Sequence, residues 1–581
     1  MKSSAIFIAL RRLRAPIVVL VLVYALGVLG FVLIPGVDAD GKPWHMDIFH
    51  AFYVISYTAT TIGFGELPYA FTDAQRLWTI LVIYLSVFGW TYALGSLLAL
   101  GRDRPFQQAL HTQRFARGVH SIAEPFYLVC GYGETGGLVC AALDRAGLRV
   151  VVLEQDPARL AELDLQDFRS KPYGLVADVR STDALRKAGL EHKRLAGVLA
   201  LTNDDEANLK VAIAVRLLNP EVPVLARVRN KAVAANMASF GTDHIINPFT
   251  VFGEYLSLLL RAPRVYRLLD RLIGSAASPE PKARPLPRGH WIVCGYGRFG
   301  REVVACFDRE GLDVTIIEPD PKRAANRTAL PGTGTEADQL HSAGIESAVG
   351  IVAGTDDDVD NLSIAVTARE IRPEIYLVVR QNEQSNTPLF AALGADFTVV
   401  SRAIVSEHAV ALVRTPRLEC FIDRVISNEA AGEAAMTRLE AAVGSRKVTT
   451  WRTGVHHGAA PAIERALDRG QQITVEHLLR EPGDRTTSLH AIALMLFRGE
   501  DEILLPPPGM PLAAGDDVLF AGTAGARERQ RMILADDNVR DYVVLGRDIP
   551  GGWVWQRFGP KSTPLPERPV AQDGGSGNTA S

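Results

Sequence analysis

FYLVCGYGETGG at residues 126–137 has a counterpart in HWIVCGYGRFGR at residues 290–301. In each copy a short apolar run leads into Gly-x-Gly-x-x-Gly, and a helical pattern then leads to a second apolar run that ends in an acid, Glu154 or Glu318. This strand–turn–helix–strand order is the context of a dinucleotide-binding fingerprint. Both segments are therefore predicted to open an α/β domain of Rossmann type.

The likeness of the two copies continues far beyond the glycines. TNDDEANL from Thr202 matches TDDDVDNL from Thr355, and RAPRVYRLLDR from Arg261 matches RTPRLECFIDR from Arg414. Both pairs are separated by 153 residues (355 − 202 and 414 − 261). A constant offset over so long a stretch indicates a duplicated domain.

The glycine loops are predicted to bind a nucleotide, because glycine lets the backbone approach a pyrophosphate at a helix N-terminus. An acid at the end of the second strand can bind ribose hydroxyls and would repel a 2′-phosphate, which favours NAD(H) or an adenine nucleotide over NADP. The candidate residues are Gly131, Tyr132, Gly133, Glu134, Thr135, Gly136, Glu154 and Asp178 in the first copy, and Gly295, Tyr296, Gly297, Arg298, Phe299, Gly300 and Glu318 in the second.

The two predicted clefts differ in charge. Arg298 in the second loop offers a charged donor to a phosphate, whereas Glu134 at the matching position would repel one. We therefore expect unequal sites, with the second better suited to phosphate. The alternative for Arg298 is a solvated residue at the start of a helix.

The start of the chain has a different character. Ala15 to Ile34 and Leu77 to Leu100 are apolar runs long enough to cross a hydrocarbon core of about 30 Å. Arginines precede the first run and follow the second, while the connecting loop has few cations. By the positive-inside rule we expect a multi-pass protein of the cell's inner (plasma) membrane, with both termini in the cytoplasm.

Composition excludes several classes of partner and site. The formal net charge is only −3, so no nucleic-acid partner is indicated. Cys130 and Cys294, each just before a glycine loop, are predicted to be buried strand thiols in a reducing compartment. The five cysteines form no CxxC pair, and no metal site is predicted.

Between the two apolar runs lies a segment too short to span a membrane. Asp47 to Thr58 is apolar and aromatic, which suggests a re-entrant helix with Asp47 at its positive end. The residues that follow are Thr60, Thr61, Ile62, Gly63, Phe64 and Gly65. Irregular backbone at membrane depth is tolerated where it lines a water-filled path. Rings of carbonyls from several chains can replace the water shell of K⁺ there. The alternative is a glycine-rich extracellular turn.

This segment resembles the filter of the potassium-channel pore family, which reads Thr-Val-Gly-Tyr-Gly-Asp, where this chain has Thr61 to Glu66. The resemblance implies selectivity for K⁺ over Na⁺. Phe64 lacks the tyrosine hydroxyl that braces the filter in relatives, and Glu66 in place of aspartate alters the outer mouth.

Two glycines interrupt the otherwise bulky second span. Gly89 and Gly95 are candidate gating hinges, because glycine weakens a helix by about 1 kcal/mol relative to alanine. The alternative is close packing between helices, where small residues are common.

The duplicated region, from about Phe126 to Arg424, resembles RCK domains, the regulators of potassium conductance that also occur in potassium-uptake regulators. The resemblance implies crossover helices near RAPRVYRLLDR and RTPRLECFIDR. LAAGDDVLFAG resembles the C-terminal regulatory lobe of that family. Because two domains are fused in one chain, four chains supply eight, and a homotetramer closes a ring without soluble copies.

Calcium gating is possible but not favoured. Asp178 matches the aspartate that binds the ion in the calcium-gated relative. Arg227 and Arg229 occupy the positions of its two glutamates, and two cations would repel Ca²⁺.

The predicted fold class is a two-span α-helical pore followed by two α/β Rossmann-type domains and a small α+β lobe. The predicted divisions are a pore domain 1–104 (spans 15–34 and 77–100, pore helix and filter 47–66), a linker 105–124, a first RCK domain 125–273, a linker 274–288, a second Rossmann lobe with crossover helices 289–429, a C-terminal lobe 430–558 and a disordered tail 559–581.

The sequence thus predicts a potassium channel gated by a nucleotide. One alternative is a membrane-anchored, nucleotide-binding regulator of a separate transporter that does not itself conduct. A third interpretation, an NAD-dependent oxidoreductase with a membrane anchor, leaves the filter segment unexplained. No residue pair indicates a redox centre, so we expect no enzyme activity.

Overall fold

The computed structural model describes residues 4–273, 285–324 and 327–547. The chain divides into two compact units. The first consists of the residues up to Glu124 together with 173–175 and 183–194, and the second of the remainder. Most of the linker expected at 274–288 and the whole tail expected at 559–581 lie outside the described residues.

The first unit begins with two long apolar helices and a short one between them. Its elements are α1 (Ser4–Leu33), β1 (Gly36–Val37), β2 (Pro43–Trp44), α2 (Ile48–Ala59), α3 (Asp73–Arg102) and α4 (Arg104–His120). Residues 9–33 of α1 and the whole of α3 are long and apolar enough to cross a membrane. The two helices pack together, and Trp78 Nε1 donates to the Gly27 carbonyl at 3.1 Å.

Side-chain caps fix where these helices begin. Asp47 accepts the His50 N–H at 2.7 Å and starts α2, as its position predicts. Thr72 and Gln75 form a capping box at the start of α3. The segment expected as a linker, 105–124, is mostly the helix α4, because Asp103 caps it and Pro105 stands in its first turn, where a missing N–H costs nothing.

The second unit begins with a parallel sheet whose strands alternate with helices. Five strands pair in the order β4-β3-β6-β7-β8, so β3 with its glycine loop is central. Strand β5 and helix α7 lie partly in the first unit. The elements are β3 (Phe126–Cys130), α5 (Glu134–Arg145), β4 (Arg149–Glu154), α6 (Pro157–Leu165), β5 (Tyr173–Val176), α7 (Thr182–Lys187), β6 (Leu195–Ala200), α8 (Asp205–Leu218), β7 (Val224–Arg227), α9 (Lys231–Ser239), β8 (His244–Ile246), α10 (Pro248–Arg261) and α11 (Pro263–Ile273).

The second copy has a parallel sheet with the order β11-β10-β9-β12-β13-β14. Its central strand β9 again leads into the glycine loop, as the duplication predicts. The elements are β9 (His290–Cys294), α12 (Arg298–Arg309), β10 (Asp313–Glu318), β11 (Ala329–Pro331), α13 (Ala337–Ser342), β12 (Gly350–Ala353), α14 (Asp358–Ile371), β13 (Tyr376–Gln381), α15 (Thr387–Leu393), β14 (Phe397–Val400), α16 (Ser401–Arg414) and α17 (Leu418–Ser427).

The two copies exchange one helix each. Helix α10 of the first packs on α12 of the second, where the rings of Phe252 and Phe299 stack at 5.1 Å. Helix α16 of the second packs on α5 of the first, where Val405 and Leu412 join its buried cluster. The exchanging helices thus end at Arg261 and Arg414, where the two expected segments, RAPRVYRLLDR and RTPRLECFIDR, begin.

The chain continues into a small α+β lobe. Its antiparallel sheet has the order β15-β20-β18-β19, and Trp451 stacks on Phe520 in its core at 5.8 Å. The elements are α18 (Glu429–Val443), β15 (Thr449–Gly454), α19 (Pro461–Asp468), β16 (Arg480–Glu481), β17 (Asp484–Ser488), β18 (Ala491–Arg498), β19 (Asp501–Leu504), β20 (Asp517–Gly522), α20 (Ala524–Ala535) and α21 (Asp537–Leu545). The predicted fold class is confirmed: a helical start, two Rossmann-type domains and an α+β lobe.

Candidate functional site

The backbone after α2 has an unusual alternation. Thr61, Gly63 and Gly65 have φ angles of 62°, 66° and 96°, so every second residue is left-handed. Such alternation turns successive carbonyls toward one side of the strand. Two of these positions are glycine, which accepts the conformation without strain, whereas Thr61 does not. Carbonyls arranged in a row are the groups that replace the water shell of K⁺ in channel filters.

Helix α2 holds this segment at its inner end. The amides of Ile62 and Gly63 donate to the Tyr57 carbonyl at 2.9 and 3.3 Å. The Thr60 hydroxyl donates to the Ser56 carbonyl at 2.7 Å. The backbone of the segment is thus attached to the last turn of the helix.

A second attachment involves Tyr57, which the sequence analysis missed. Its hydroxyl donates to the Gly65 carbonyl at 2.6 Å. The ring of Phe64 lies against Tyr53 and Tyr57, with centroids 6.3 and 5.7 Å away. Phe64 itself has no hydroxyl, and the helix supplies one instead. The loss of a brace that we expected from the Tyr-to-Phe difference is therefore offset by Tyr57.

Glu66, which follows the segment, is held by hydrogen bonds. Its carboxylate accepts the Phe71 N–H at 2.8 Å and the Arg76 Nε–H at 2.9 Å. Arg76 stands at the start of α3, so the ion pair joins the end of the filter segment to the second long helix.

The two candidate hinges lie in an unbroken helix. Gly89 is buried, and a Cβ built on it would lie 3.5 Å from Leu20 and 3.6 Å from Val23 of α1. A Cβ on Gly95 would have no neighbour within 4 Å. Helix packing therefore accounts for Gly89 in the straight form of α3.

In the second unit, a cavity of about 620 Å³ opens at the first glycine loop. Of the predicted residues, Gly131, Gly133, Glu134, Thr135, Glu154 and Asp178 line it. Tyr132 is buried in the hydrophobic core, so only its backbone is available to a ligand. Gly136 acts by close packing, because a Cβ there would lie 2.0 Å from the Gly131 carbonyl oxygen.

The acids at the ends of the second strands fix the glycine loops. Glu154 accepts the Tyr132 and Asp156 amides at 2.6 and 3.0 Å, and Glu318 accepts the Tyr296 amide at 2.7 Å. Both carboxylates are buried. A carboxylate has about four acceptor positions, so Glu154 retains capacity for a ribose hydroxyl in the cavity that it lines.

Cations surround the cavity. Its lining includes six arginines, namely Arg159, Arg180, Arg227, Arg229, Arg380 and Arg402. Burial, followed by the nearby Arg229, lowers the pKa of Arg227 to about 10, although Asp205 opposes the change. Five carboxylates also line the cavity, namely Glu134, Glu154, Asp156, Asp178 and Asp204, so the six arginines are in excess by one. This excess of guanidinium groups, with Arg402 buried, favours an anionic ligand.

Two of these arginines, Arg380 and Arg402, come from the second domain. Arg402 alters the expectation that the first cleft is less suited to phosphate than the second. Arg402, at the start of the exchanged helix α16, pairs with the Glu134 carboxylate. The charge of Glu134 is thus opposed by a buried cation. The expectation that Glu134 makes the first cleft repel phosphate was incomplete, because it considered only that cleft's own domain.

The second glycine loop repeats the backbone geometry. A Cβ on Gly300 would lie 1.9 Å from the Gly295 carbonyl oxygen. Arg298 is exposed at the start of α12, while Phe299 is buried against Phe249 and Phe252, so its side chain belongs to the core. Gly297 is part of the same loop and caps α12.

The expected obstacle to calcium is present in the first cleft. Asp178 accepts the Arg180 amide at 2.8 Å and lines the same cavity as Arg227 and Arg229. These cations make the surroundings of Asp178 unfavourable for Ca²⁺.

Two protein families match this chain, one at its helical start and one at its two Rossmann-type domains. The ion channel family model matches residues 18–102, and the TrkA-N domain model matches residues 127–248 and 291–401. The two TrkA-N matches coincide with the two Rossmann-type domains.

Two potassium channel proteins of Methanocaldococcus jannaschii are similar to this chain. Potassium channel protein 1 is 22% identical over 40% of this chain and 68% of its own length. Probable potassium channel protein 2 is 23% identical over 40% of this chain and 66% of its own length. The similarity thus spans about two thirds of each relative.

Among solved structures, the GsuK channel bound to NAD has a TM-score of 0.44 and 16% identity, with 91% of this chain and 99% of that chain covered. With an ion-channel domain at its start and two TrkA-N domains behind it, the chain is a homologue of the potassium channel proteins and has the arrangement of a two-transmembrane channel with RCK domains.

Proposed function

We propose that this chain is one subunit of a homotetrameric potassium channel, with K⁺ as the permeant ion and a filter formed by Thr60 to Gly65. The observation that carries the proposal is the left-handed backbone at Thr61, Gly63 and Gly65, held by α2 between two apolar helices. One chain supplies one side of a carbonyl ring, and four such segments surround an axis in K⁺ filters. The plasma membrane, with both termini in the cytoplasm, is the placement that the arginine distribution favours.

The tetramer is also supported by what one chain leaves exposed. Ile62 and Phe64 beside the filter backbone are each 60% exposed. Apolar side chains at a filter need neighbours other than water. Four copies around one axis would supply them, and two TrkA-N domains in each chain would make a ring of eight.

We propose that the regulatory ligand is NAD(H) or an adenine nucleotide. Support comes from the glycine loop of the first cleft, from the acid Glu154 beside it and from the arginines of the cavity. A ligand that binds one conformation of the ring better than another shifts the pore by its difference in affinity. Both clefts remain candidates, with the first supported by the described cavity.

Two other functions are less well supported. A non-conducting, nucleotide-binding regulator of a separate transporter would leave the braced filter backbone without a role. An oxidoreductase would need a group positioned for hydride transfer, whereas the polar groups at the cavity are arginines, carboxylates and amides suited to binding. We therefore propose regulated ion transport without enzyme activity.

Nucleotide control is tested by recording single channels from purified protein in a planar bilayer. NAD⁺, NADH, ADP and ATP are added in turn to the face that bears the soluble domains, with KCl on both sides. We expect at least one of them to change the open probability several-fold. Current that is indifferent to all four would contradict nucleotide gating while leaving the channel intact.

A further inference from the structure

The exchange of helices brings different side chains to the two glycine loops. Arg402 corresponds to Phe249 by the offset of the duplication (402 − 249 = 153). Phe249 lies edge-on to Phe299 of the second glycine loop, with the ring centroids 6.2 Å apart. Arg402 instead reaches Glu134 of the first glycine loop. The same position of the repeat thus delivers an aromatic ring to one loop and a cation to the other.

Arg402 has unused bonding capacity at the first cavity. The residue is only 7% exposed and lines the cavity. Its Nη1 donates to the Glu134 carboxylate and to the Asn382 carbonyl. Its Nη2 is buried and has no hydrogen-bond partner among the described residues. A buried charged donor without an acceptor is unfavourable, and an oxyanion in the cavity would relieve it.

A second arginine of the same domain stands beside it in the lining. Arg380, on β13, donates from Nη1 to Asp356 at 2.7 Å, while its Nε is buried without a hydrogen-bond partner in the part of the chain that the structure describes. Its guanidinium lies 5.3 Å from the centre of the Phe249 ring, which fixes its position. Two guanidinium groups of the second domain therefore line the cavity at the glycine loop of the first.

We propose that the first cleft is a composite diphosphate site, in which Arg402 and Arg380 of the second domain bind the pyrophosphate of a nucleotide held by the first glycine loop. The phosphate replaces the Glu134 carboxylate as the partner of Arg402. Because Arg402 begins α16, which packs on α5, the bound ligand joins the two domains at their exchanged helices. This inference rests on the proposed nucleotide regulation and names the site and chemistry through which it acts.

The test is the affinity of the full-length, detergent-solubilised protein for ADP, measured by isothermal titration calorimetry. We expect Arg402→Gln to weaken ADP binding at least tenfold, since a charged donor to the phosphate is lost. Glu134→Gln should strengthen it about threefold or more, because the competing carboxylate is removed. Arg531→Gln is the matched control and should bind ADP as the wild type does, because Arg531 is exposed on α20 of the α+β lobe, where it pairs with Glu528.

The outcomes separate this inference from the function on which it rests. Wild-type affinity in Arg402→Gln would overturn the composite site while leaving nucleotide binding in place. Absence of ADP and NAD⁺ binding to the wild type would overturn both. If Arg402→Gln does not assemble, Glu134→Gln decides alone, and unchanged or weaker ADP binding by that variant would reject the proposal.

Discussion

At the scale of single residues, Tyr57 determines how the filter is held. Relatives in the pore family use a hydroxyl within the filter, whereas this chain has Phe64 there and places the hydroxyl on α2. The bond from Tyr57 to the Gly65 carbonyl connects the outer end of the filter to the helix beneath it.

Tyr57→Phe removes this bond and retains the ring beside Phe64. The net worth of such a bond is about 1 kcal/mol, which corresponds to roughly a fivefold change in an equilibrium. We expect the conducting state to be about fivefold less populated in steady single-channel recordings. Tyr53→Phe is the control, because Tyr53 stacks on Phe64 and its hydroxyl takes no part in that ring contact. Equal effects of the two changes would show that the bond from Tyr57 to the Gly65 carbonyl has no specific part in stabilising the segment.

Gly136 gives a residue-scale test of the first glycine loop. A Cβ there would lie 2.0 Å from the Gly131 carbonyl oxygen, whereas a Cβ on the neighbouring Gly137 would meet its nearest atom at 4.0 Å. We expect Gly136→Ala to cost about 1–3 kcal/mol, as overpacking does, and to weaken ADP binding. Gly137→Ala should fold and bind as the wild type does.

Thermal unfolding and ADP titration of the two alanine variants measure these effects side by side. Loss of stability in both variants would indicate a general intolerance of α5 rather than the close approach at Gly136.

Much of the residue list follows from spacing, and the remainder depends on tertiary structure. Local spacing is enough to recognise three features: the glycine loops, the acids that follow them and the filter segment. The roles of Tyr57 and Arg402 depend on a partner that lies eight residues away in one case and 268 in the other. No local sequence pattern predicts that the Tyr57 hydroxyl bonds to the Gly65 carbonyl. Nor does one predict that α16, which carries Arg402, packs on the other domain.

At the scale of elements, α3 is uninterrupted through both glycines. Gly89 packs against α1, and Gly95 has open space around it. The periodicity of α3 could be predicted from its sequence, but whether a glycine bends or packs depends on the neighbouring helix. The same is true of α4, where the cap at Asp103 turns an expected linker into a helix.

A hinge at Gly89 predicts a definite effect of alanine. Gly89→Ala stabilises the straight helix by about 1 kcal/mol, and its Cβ would meet α1 at ordinary contact distance. If the open pore needs a bend at this point, the open probability should fall about fivefold. Gly95→Ala serves as the comparison within the same helix.

Single-channel open probability at a fixed nucleotide concentration is the measurement. No change in Gly89→Ala, with full expression and assembly, would assign Gly89 to packing alone.

At the scale of the whole molecule, duplication and fusion produce two domains that are similar in fold and unequal in chemistry. The constant offset in the sequence predicts the repeat, and the equivalent strand orders β4-β3-β6-β7-β8 and β10-β9-β12-β13-β14 follow from it. Four of the six arginines at the first cleft belong to its own domain, and the second domain adds Arg380 from β13 and Arg402 from the exchanged helix α16. Allosteric coupling is typically about 1–3 kcal/mol, which suffices for a bound nucleotide to change the open probability several-fold.

The central claim is that the segment from Thr60 to Gly65 forms a path selective for K⁺. The most direct test is the reversal potential of purified wild-type protein in a planar bilayer, with KCl on one side and an equal concentration of NaCl on the other. A tenfold preference for K⁺ shifts this potential by about 59 mV toward the K⁺ equilibrium value, and we predict at least that shift. A reversal potential near zero, or no current from folded tetramers under any of the four nucleotides, would contradict the account.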